Sequence, residues 1–462
     1  MAKIILDFKR KLAILSHQRK KYSQLISYPM NQRNRIHLPW LVVSDGHGNI
    51  FEIPGLEMLV RRVNDTRLPE PNELIPVPPG SLLLELPDRD PIGYDRRCGR
   101  MVTLKRYRGR PVIAAAVFLA PAYTQLYFAA FQSQPDGIKL PLFAYTPLGW
   151  QKGQFWTPAV RVDADVRHDP SQFDPELIER GCQRMLARFP GNRLVAHLVY
   201  NCVQRYFCPN AQNFVLERWE CPVPISPACN ARCVGCISQQ PNDSVPATQN
   251  RIDFVPTVEE IVKYTVPHLE HVPEAIISFG QGCEGEPLLQ GDLLEQAVRK
   301  IRSLTELGTI HVNTNAGYPH VIERLCRAGV DSFRVSLNSA QPDLYTAYYR
   351  PKDYGFEAVL ESMSIMRRHQ KWISLNYFIF PGLTDDPNEM EQLIKIIADY
   401  RVDFIQMRNL NIDPDWYIHT LKLDQRAIKP IGILKWQQAI VARAPWIRFG
   451  YFNPAKQSWM AR

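Results

Sequence analysis

The chain has 462 residues, enough for two domains, and its 45% apolar and 22% charged residues exclude an intrinsically disordered protein. The longest apolar run, residues 112–120, is shorter than the roughly 20 residues that span a bilayer, and no leader segment opens the sequence. We therefore predict a cytoplasmic protein with no membrane partner. Its 10 cysteines are then reduced, as metal ligands, reactive thiols or core residues.

The formal net charge is +9, and basic residues are dense in the opening segment. That segment contains Lys3, Lys9, Arg10, Lys11, Arg19, Lys20 and Lys21. Two interpretations remain open: an amphipathic helix docked on the body of the protein, which we favour, and a contact with nucleic acid.

Residues 1–170 combine turn-forming residues with short apolar runs, which predicts an N-terminal β-rich domain built from hairpins and suited to substrate recognition. The predicted strands are 41–43, 50–53, 82–86, 111–119, 126–131 and 155–162. Residues 171–214 form a predicted helical bridge with helices at 175–188 and 193–207, the first capped by Asp174 before Pro175.

From residue 215 to 450, short apolar segments alternate with amphipathic ones, which predicts an α/β fold, and residues 451–462 form a tail. The predicted strands lie near 222–225 and at 275–279, 309–312, 332–337, 373–380 and 404–407. Thr257 to Glu260 is a capping-box pattern, and a helix near Asp292 places Leu294, Ala297, Val298, Ile301 and Leu304 on one face. Six strand–helix units predict a partial (β/α)6 barrel with its site at the carboxyl ends of the strands.

Three cysteines in the spacing C-x3-C-x2-C follow the first predicted barrel strand: Cys229, Cys233 and Cys236. A cubane iron-sulfur cluster normally has four thiolate ligands, so a loop that supplies three leaves one iron open to chemistry. A structural zinc site, or a cluster completed by a fourth cysteine, remains an alternative, although zinc sites favour two cysteine pairs.

This cysteine spacing, together with Gly285-Glu286-Pro287 about 50 residues later, resembles the radical S-adenosylmethionine (radical SAM) superfamily over residues 215–449. One departure is Gly235, where the family often has an aromatic residue. The resemblance implies that the three cysteines hold a 4Fe-4S cluster whose open iron binds S-adenosylmethionine (SAM).

The resemblance also implies cofactor-binding residues on several loops: Gly285, Glu286, Asn315, Ser336, Asn338 and Met407. In the family, the first two contact the amino group of SAM, the serine and Asn338 contact its ribose or carboxylate, and Met407 lies near the adenine. Ordinary turn chemistry is the alternative explanation for Gly285, Ser336 and Asn338. Arg350, Arg408 and Tyr377 are weaker candidates for contact with a substrate.

The remaining cysteines have two interpretations. Cys202, Cys208, Cys221 and Cys283 would supply a second iron-sulfur cluster, or they are packing residues, which we favour. Cys283 is also a candidate catalytic thiol that gives or takes a hydrogen atom near the radical. Cys182 and Cys326 are predicted core residues.

The resemblance implies an enzyme that reductively cleaves SAM and uses the resulting 5'-deoxyadenosyl radical to abstract hydrogen from a substrate. An electron donor such as flavodoxin or ferredoxin would serve it. The substrate remains open among a peptide or protein, RNA and a small molecule. The alternative from a different class is a non-enzymatic iron-sulfur redox carrier or sensor.

Overall fold

A computed structural model describes residues 38–241 and 245–459. The basic opening segment therefore lies outside the described residues. Within the described part of the chain, no helix has the length and apolarity needed to cross a membrane.

The N-terminal region is an antiparallel β structure, which confirms the predicted β-rich character. Its strands are β1 (Trp40–Ser44), β2 (Ile50–Met58), β3 (Val60–Arg62), β4 (Asp65–Arg67), β5 (Leu74–Pro76), β6 (Leu82–Leu86), β7 (Arg89–Asp95), β8 (Arg100–Thr103), β9 (Arg106–Tyr107), β10 (Arg110–Pro111), β11 (Ile113–Phe118), β12 (Tyr123–Gln125), β13 (Phe128–Ala129), β14 (Phe131–Ser133), β15 (Gly149–Gln151) and β16 (Gln154–Arg161). The longest hydrogen-bonded path runs β12-β16-β15-β1-β2-β7-β14.

The strand predicted over 126–131 is divided between two sheets, which corrects the prediction. Strand β13 pairs with β3 in a small three-stranded sheet, whereas β14 pairs with β7 in the large sheet. The apolar run is continuous because both parts are buried, so the sequence does not show where the chain changes partner.

The helical bridge begins as predicted and then departs from the prediction. Helix α1 (Pro175–Arg188) is capped by Asp174, whose carboxylate accepts from the N–H of Glu176 at 2.8 Å. The second predicted helix is instead α2 (Arg193–His197) followed by a π-helix (Leu198–Arg205), and α3 (Pro209–Val215) comes next. Pro209 disfavours α-helical geometry at the preceding residue, so an α-helix cannot continue through to α3.

The C-terminal region is a curled parallel sheet of seven strands in chain order, which confirms the partial-barrel prediction. The strands are β17 (Glu220–Pro222), β18 (Ile276–Phe279), β19 (Thr309–Thr314), β20 (Ser332–Leu337), β21 (Trp372–Ile379), β22 (Phe404–Asn409) and β23 (Arg448–Gly450). The last was not predicted, because three residues are too few for a recognisable periodic pattern.

Helices separate these parallel strands. They are α4 (Val258–His271), α5 (Gly291–Leu304), α6 (Pro319–Ala328), α7 (Pro342–Tyr349), α8 (Phe356–Arg368), α9 (Pro387–Asp399), α10 (Pro414–Thr420) and α11 (Ile433–Arg443). Short 3-10 helices occur at Pro71–Glu73, Pro170–Gln172, Pro287–Gln290, Leu423–Gln425 and Lys456–Ser458. The capping box at α4 is present as predicted: the Glu260 N–H donates to Thr257 Oγ1, and the Glu260 carboxylate accepts from the Thr257 N–H.

Helix α5 is an example of the helices that cover the outer face of the parallel sheet. Leu294, Ala297, Val298 and Ile301 are fully buried against the sheet, as their spacing predicts. Leu304 is 50% exposed, so its predicted place on the buried face is wrong. It is the last residue of the helix, where the chain turns away toward β19.

The N-terminal sheet packs on the barrel where β21 and β22 end. One hydrophobic cluster includes Val60, Tyr127 and Phe128 together with the barrel core, and the rings of Phe128 and Phe380 lie 4.9 Å apart. The buried pair Arg89 and Asp413 also joins the two regions, with 2.7 Å between guanidinium and carboxylate. The N-terminal region therefore covers one side of the barrel rim.

Candidate functional site

The cysteine loop follows β17 and is held against the end of α7. The N–H of Arg232 donates to the Tyr349 carbonyl, and the N–H of Val234 donates to the Tyr348 carbonyl, both at 2.9 Å. The Tyr348 hydroxyl lies 3.0 Å from the position that a Cβ at Gly235 would occupy. An aromatic ring from α7 thus lies beside the glycine that replaces the family's frequent aromatic residue.

The three thiols of this loop interact electrostatically. Burial raises the pKa of Cys229 to about 11, and the nearby Glu286 acts in the same direction. Burial also raises the pKa of Cys233 well above its ordinary value, with Cys236 and Cys229 contributing. Such thiols become thiolates only when positive charge reaches them, as a metal cluster provides, so the donor set fits the implied iron-sulfur group.

Arg251 is a cation in contact with a sulfur atom of this loop. Its guanidinium donates to Cys236 Sγ at 3.7 Å and to Ser238 Oγ at 3.1 Å. Its charge lowers the pKa of Cys229 and Cys233, although burial outweighs it. Hydrogen bonds to cluster sulfur atoms raise a cluster's reduction potential, and Arg251 is placed to supply one.

The loop after β18 approaches the cysteine loop closely through its backbone. The Gly285 N–H donates to the Ser226 carbonyl at 2.6 Å, and the Glu286 N–H donates to the Ala228 carbonyl at 2.8 Å. A Cβ at position 285 would lie 1.8 Å from the Ala228 carbonyl oxygen, so only glycine fits. The close contact of Gly285 is therefore with the cysteine loop itself, whereas the resemblance placed this residue against the cofactor.

Glu284, which the sequence analysis did not single out, fastens the same two loops together. Its buried carboxylate accepts from the N–H groups of Ile225 at 2.8 Å, Ser226 at 3.1 Å and Gln281 at 2.7 Å. Burial raises the pKa of Glu284 to about 7, although these hydrogen bonds act in the opposite direction. Its only signal in the sequence is an acidic residue between a cysteine and a glycine.

Glu286 and Asn315 are brought together beneath the cysteine loop. The Glu286 carboxylate accepts from the Asn315 N–H at 2.9 Å and from Thr314 Oγ1 at 2.5 Å, and burial raises its pKa to about 7. Asn315 Nδ2 in turn donates to Asn230 Oδ1 at 2.7 Å. The buried Nδ2 of Asn230 has no hydrogen-bond partner among the described residues, which leaves a donor for a ligand.

The other predicted cofactor residues lie further along the rim. Ser336 is half-buried on β20. Asn338 donates to the Tyr417 hydroxyl at 3.0 Å, and its buried Oδ1 has no partner within the described chain. The Met407 side chain is fully buried in the core, and its carbonyl accepts from Thr124 Oγ1 at 3.1 Å. Any contact of Met407 with adenine would therefore involve its backbone.

Two arginines, on strands β20 and β22, lie close enough to interact electrostatically. Arg334 donates to Gln406 Oε1 at 2.5 Å, and the guanidinium of Arg408 lies 3.8 Å from the Tyr451 ring centroid. Burial and the charge of Arg408 lower the pKa of Arg334 to about 9. Both Nε atoms are buried and lack a hydrogen-bond partner among the described residues, so each can still bind an anionic group.

The other two substrate candidates are placed differently. Arg350 is an exposed residue with left-handed backbone geometry at the end of α7. Tyr377 is fully buried, and its hydroxyl donates to Glu389 Oε1 at 2.5 Å.

Cys283 points toward the helical bridge. A ring nitrogen of His197 and the sulfur atoms of Cys202 and Cys283 all lie within 4.8 Å of one another. The hydrogen bond with Cys283 lowers the pKa of Cys202 to about 6, although burial acts the other way. Within residues 38–241 and 245–459 no other three such ligands are this close, so the sulfur atoms of the cysteine loop are more widely spaced.

Three further cysteines are not part of this group of three ligands. Cys182 and Cys326 are buried, as predicted. Burial and the charge of Glu220 raise the pKa of Cys221 well above its ordinary value.

The sequence of the barrel region matches a known family. The model of the radical SAM superfamily matches residues 223–395. The structure is similar to HydG, a maturase of the [FeFe]-hydrogenase, at 12% identity over 62% of this chain and 72% of that chain, with a TM-score of 0.33. It is also similar to a radical SAM methyltransferase from Sphaerobacter thermophilus, at 17% identity over 52% of this chain and 68% of that one, with a TM-score of 0.36.

A third similar structure is Streptococcus suis SuiB, at 13% identity over 54% of this chain and 55% of that chain, with a TM-score of 0.35. The search of curated proteins gives no match. The family match covers the strands and loops that carry the three-cysteine motif and the Gly-Glu-Pro motif. Residues 223–395 of this chain are therefore a radical SAM domain.

Proposed function

We propose that this protein cleaves SAM reductively at a 4Fe-4S cluster held by Cys229, Cys233 and Cys236. When bound, the cluster supplies one electron and an open coordination position. Transfer of that electron to the sulfonium of SAM would break its bond to the 5' carbon and give methionine and a 5'-deoxyadenosyl radical. That radical would take a hydrogen atom from the substrate, which would leave a substrate radical and 5'-deoxyadenosine.

The observation that carries the proposal is the way the cysteine loop and the Gly-Glu-Pro loop are joined. The Gly285 and Glu286 N–H groups bind carbonyls immediately before Cys229, so cluster ligands and the proposed SAM-binding loop form one unit. Fixed geometry of this kind lets a ligand be held in a reactive orientation. Asn230 Nδ2 and Asn338 Oδ1, each buried without a partner in the described chain, support polar contacts with SAM.

The N-terminal sheet supports a role in shielding the radical and selecting the substrate. The Gln125 N–H donates to Asn409 Oδ1 at 2.9 Å, and Asn409 Nδ2 donates to the Tyr123 carbonyl at 3.0 Å. These bonds place the sheet over the end of β22. Exclusion of water at this rim would protect a reactive intermediate from side reactions.

The substrate is proposed to carry an anionic group. The Nε atoms of Arg334 and Arg408 are the support, because each is buried without a hydrogen-bond partner in the described chain. A peptide or protein, an RNA and a small metabolite all offer such a group. A cytoplasmic flavodoxin or ferredoxin is the proposed electron donor. Cys283 is the proposed hydrogen-atom donor only if its thiol does not bind a metal at the helical bridge.

The test is anaerobic reconstitution followed by incubation with dithionite and SAM. We expect 5'-deoxyadenosine and methionine in equal amounts by chromatography, and a change in the cluster's electron paramagnetic resonance signal when SAM is added. The Cys326→Ala variant is a matched control, because this cysteine is buried on α6 away from the loop. A cluster whose signal ignores SAM, with no 5'-deoxyadenosine formed, would support a redox carrier and overturn the proposal.

A further inference from the structure

A second group of metal-ligand side chains lies between the helical bridge and the barrel. His197 ends α2, Cys202 lies in the π-helix and Cys283 lies in the loop after β18. One ring nitrogen and both sulfur atoms lie within 4.8 Å of one another. Cys202 and Cys283, which are 81 positions apart in the sequence, thus lie side by side with His197, as metal ligands do.

The π-helix explains how two of these side chains share a face. In an α-helix, residues five positions apart differ in direction by roughly 140°, so His197 and Cys202 would diverge. The wider π turn brings them together. Because π-helices are rare and are found frequently at functional sites, this winding is an observation independent of the distances.

The spacing fits one metal ion. In a tetrahedral zinc site, bonds of roughly 2.0 to 2.3 Å place the ligand atoms about 3.5 to 3.8 Å apart. The ligand atoms observed here lie within 4.8 Å of one another, so small side-chain movements would bring them to that spacing. Ligands of a cubane cluster bind different irons and are necessarily further apart. The sulfur atoms of Cys229, Cys233 and Cys236 do not all lie within 4.8 Å of one another. Their wider spacing is the one that a cubane cluster requires.

The His197 ring interacts with Cys202, whose pKa it helps to lower, and one of its nitrogens makes no hydrogen bond within the described chain. Its buried Nε2 has no hydrogen-bond partner among the described residues. A buried polar nitrogen without a partner costs free energy unless a ligand binds it.

Cys208 is a candidate for a fourth ligand, because it interacts electrostatically with both cysteines of the group. Its backbone N–H donates to the Cys202 carbonyl at 2.8 Å, which folds it back over the π-helix. The charge of Cys202 contributes to raising the pKa of Cys208, and Cys208 affects Cys283 in the same way. A Cys3His set is a recognised structural zinc arrangement.

We propose that His197, Cys202 and Cys283 bind one thiophilic divalent cation, with Zn²⁺ as the best fit and Cys208 as the fourth ligand. The ion fastens the loop after β18 to the helical bridge. Because Cys283 precedes Gly285 by two residues, the site positions the Gly-Glu-Pro loop from behind. Cys283 is then a positioning residue. As a metal ligand it would not act as a hydrogen-atom donor.

The test removes the three cysteines of the cluster-binding loop, so that metal bound by His197, Cys202 and Cys283 is measured alone. In the Cys229→Ala, Cys233→Ala, Cys236→Ala triple variant, elemental analysis is expected to find zinc at about one per chain, the content of one mononuclear site, with no iron or acid-labile sulfide. Replacement of zinc by Co²⁺ should give visible thiolate-to-cobalt absorption. Addition of Cys283→Ala or His197→Gln should lower zinc content at least tenfold, whereas Cys182→Ala should not.

Three outcomes would overturn the proposal. Iron and sulfide retained by the triple variant would indicate a second cluster, a Cys202–Cys283 disulfide in mass spectrometry would indicate a redox pair, and absence of bound metal would exclude the site. Should the Cys283→Ala variant fail to fold, release of zinc from the triple variant by a chelator, followed with a colorimetric indicator, gives the same stoichiometry. None of these measurements depends on SAM cleavage, so the proposed function stands or fails separately.

Discussion

The two sides of the barrel rim are built differently. On the side of β17 to β19, loops from one parallel sheet are joined to each other by backbone hydrogen bonds and by the buried carboxyls of Glu284 and Glu286. On the side of β21 and β22, the rim is covered by the N-terminal sheet through side-chain pairs such as Arg89 with Asp413, which are 324 residues apart in sequence.

The difference separates two tasks. In the proposed function, the first side would fix the positions of the reacting atoms, because backbone bonds leave little freedom. The second side would fix what covers the reacting atoms, and its side-chain contacts would allow the covering region to vary without altering the cysteine loop. Variants on the two sides should therefore fail in different ways.

The largest expected effect is on the cysteine side. Cys233→Ala should abolish 5'-deoxyadenosine formation down to the background without enzyme, because a cluster with two protein thiolates is not retained. Iron and sulfide content is the second measurement, and the circular dichroism spectrum should stay unchanged. Full activity of the reconstituted Cys233→Ala variant would show that the cysteine loop does not hold the cluster that cleaves SAM.

Breaking the buried ion pair tests the covered side. Asp413→Ala leaves Arg89 charged and unpaired, and also removes the acceptor of the Leu140 N–H at 2.9 Å, so we expect a loss of about 3 to 5 kcal/mol in the free energy of unfolding. Denaturant unfolding measures this loss. Iron content after reconstitution should be unaffected.

A surface pair supplies the control for this ion pair. Arg443→Ala breaks the pair with Glu391, in which both side chains are 50% exposed, and should cost about 0 to 1 kcal/mol. Equal effects of Asp413→Ala and Arg443→Ala would show that the N-terminal sheet does not depend on the buried pair.

Gly285→Ala tests the close backbone contact between the Gly-Glu-Pro loop and the cysteine loop. The added Cβ would lie 1.8 Å from the Ala228 carbonyl oxygen, so the two loops must separate, at an expected cost of about 1 to 3 kcal/mol. SAM affinity, measured by equilibrium dialysis, should fall at least tenfold. Gly355→Ala is the matched control, because the nearest atom to its Cβ is the end of the flexible Glu357 side chain.

The affinity for SAM should also depend on pH. Since burial raises the pKa of Glu286 to about 7, the carboxyl is neutral below that pH and loses its attraction for the SAM amino group. Affinity for SAM should fall by up to about tenfold per pH unit below 7 and stay constant above it. Glu286→Gln should bind weakly with no such dependence.

The same raised pKa values affect stability without SAM. The folded protein binds the protons of Glu284 and Glu286 more tightly than the unfolded chain, so their contribution is full below the ordinary pKa of 4.5 and is lost as pH rises to about 7. Unfolding midpoints that rise over this interval would contradict the assignment.

The sequence predicts the parallel region well because its strands are short segments rich in apolar residues between helical patterns, as in β18, where every residue is buried. The three-cysteine loop is also predictable, since its ligands lie close together along the chain. Glu284 and His197 were missed because their roles depend on contacts with distant residues. The π-helix was missed because amphipathic spacing alone does not distinguish five-residue from four-residue hydrogen bonding.

One hydrophobic cluster runs through Tyr127 and Phe128 of the N-terminal sheet and into the barrel core. Cutting the chain after the sheet would expose these aromatic surfaces to water on both fragments, and each would tend to aggregate. The intact protein should therefore melt in a single cooperative transition, and a calorimetric scan with two separated peaks would contradict this. Any effort to express the barrel alone would have to replace these buried aromatic contacts first.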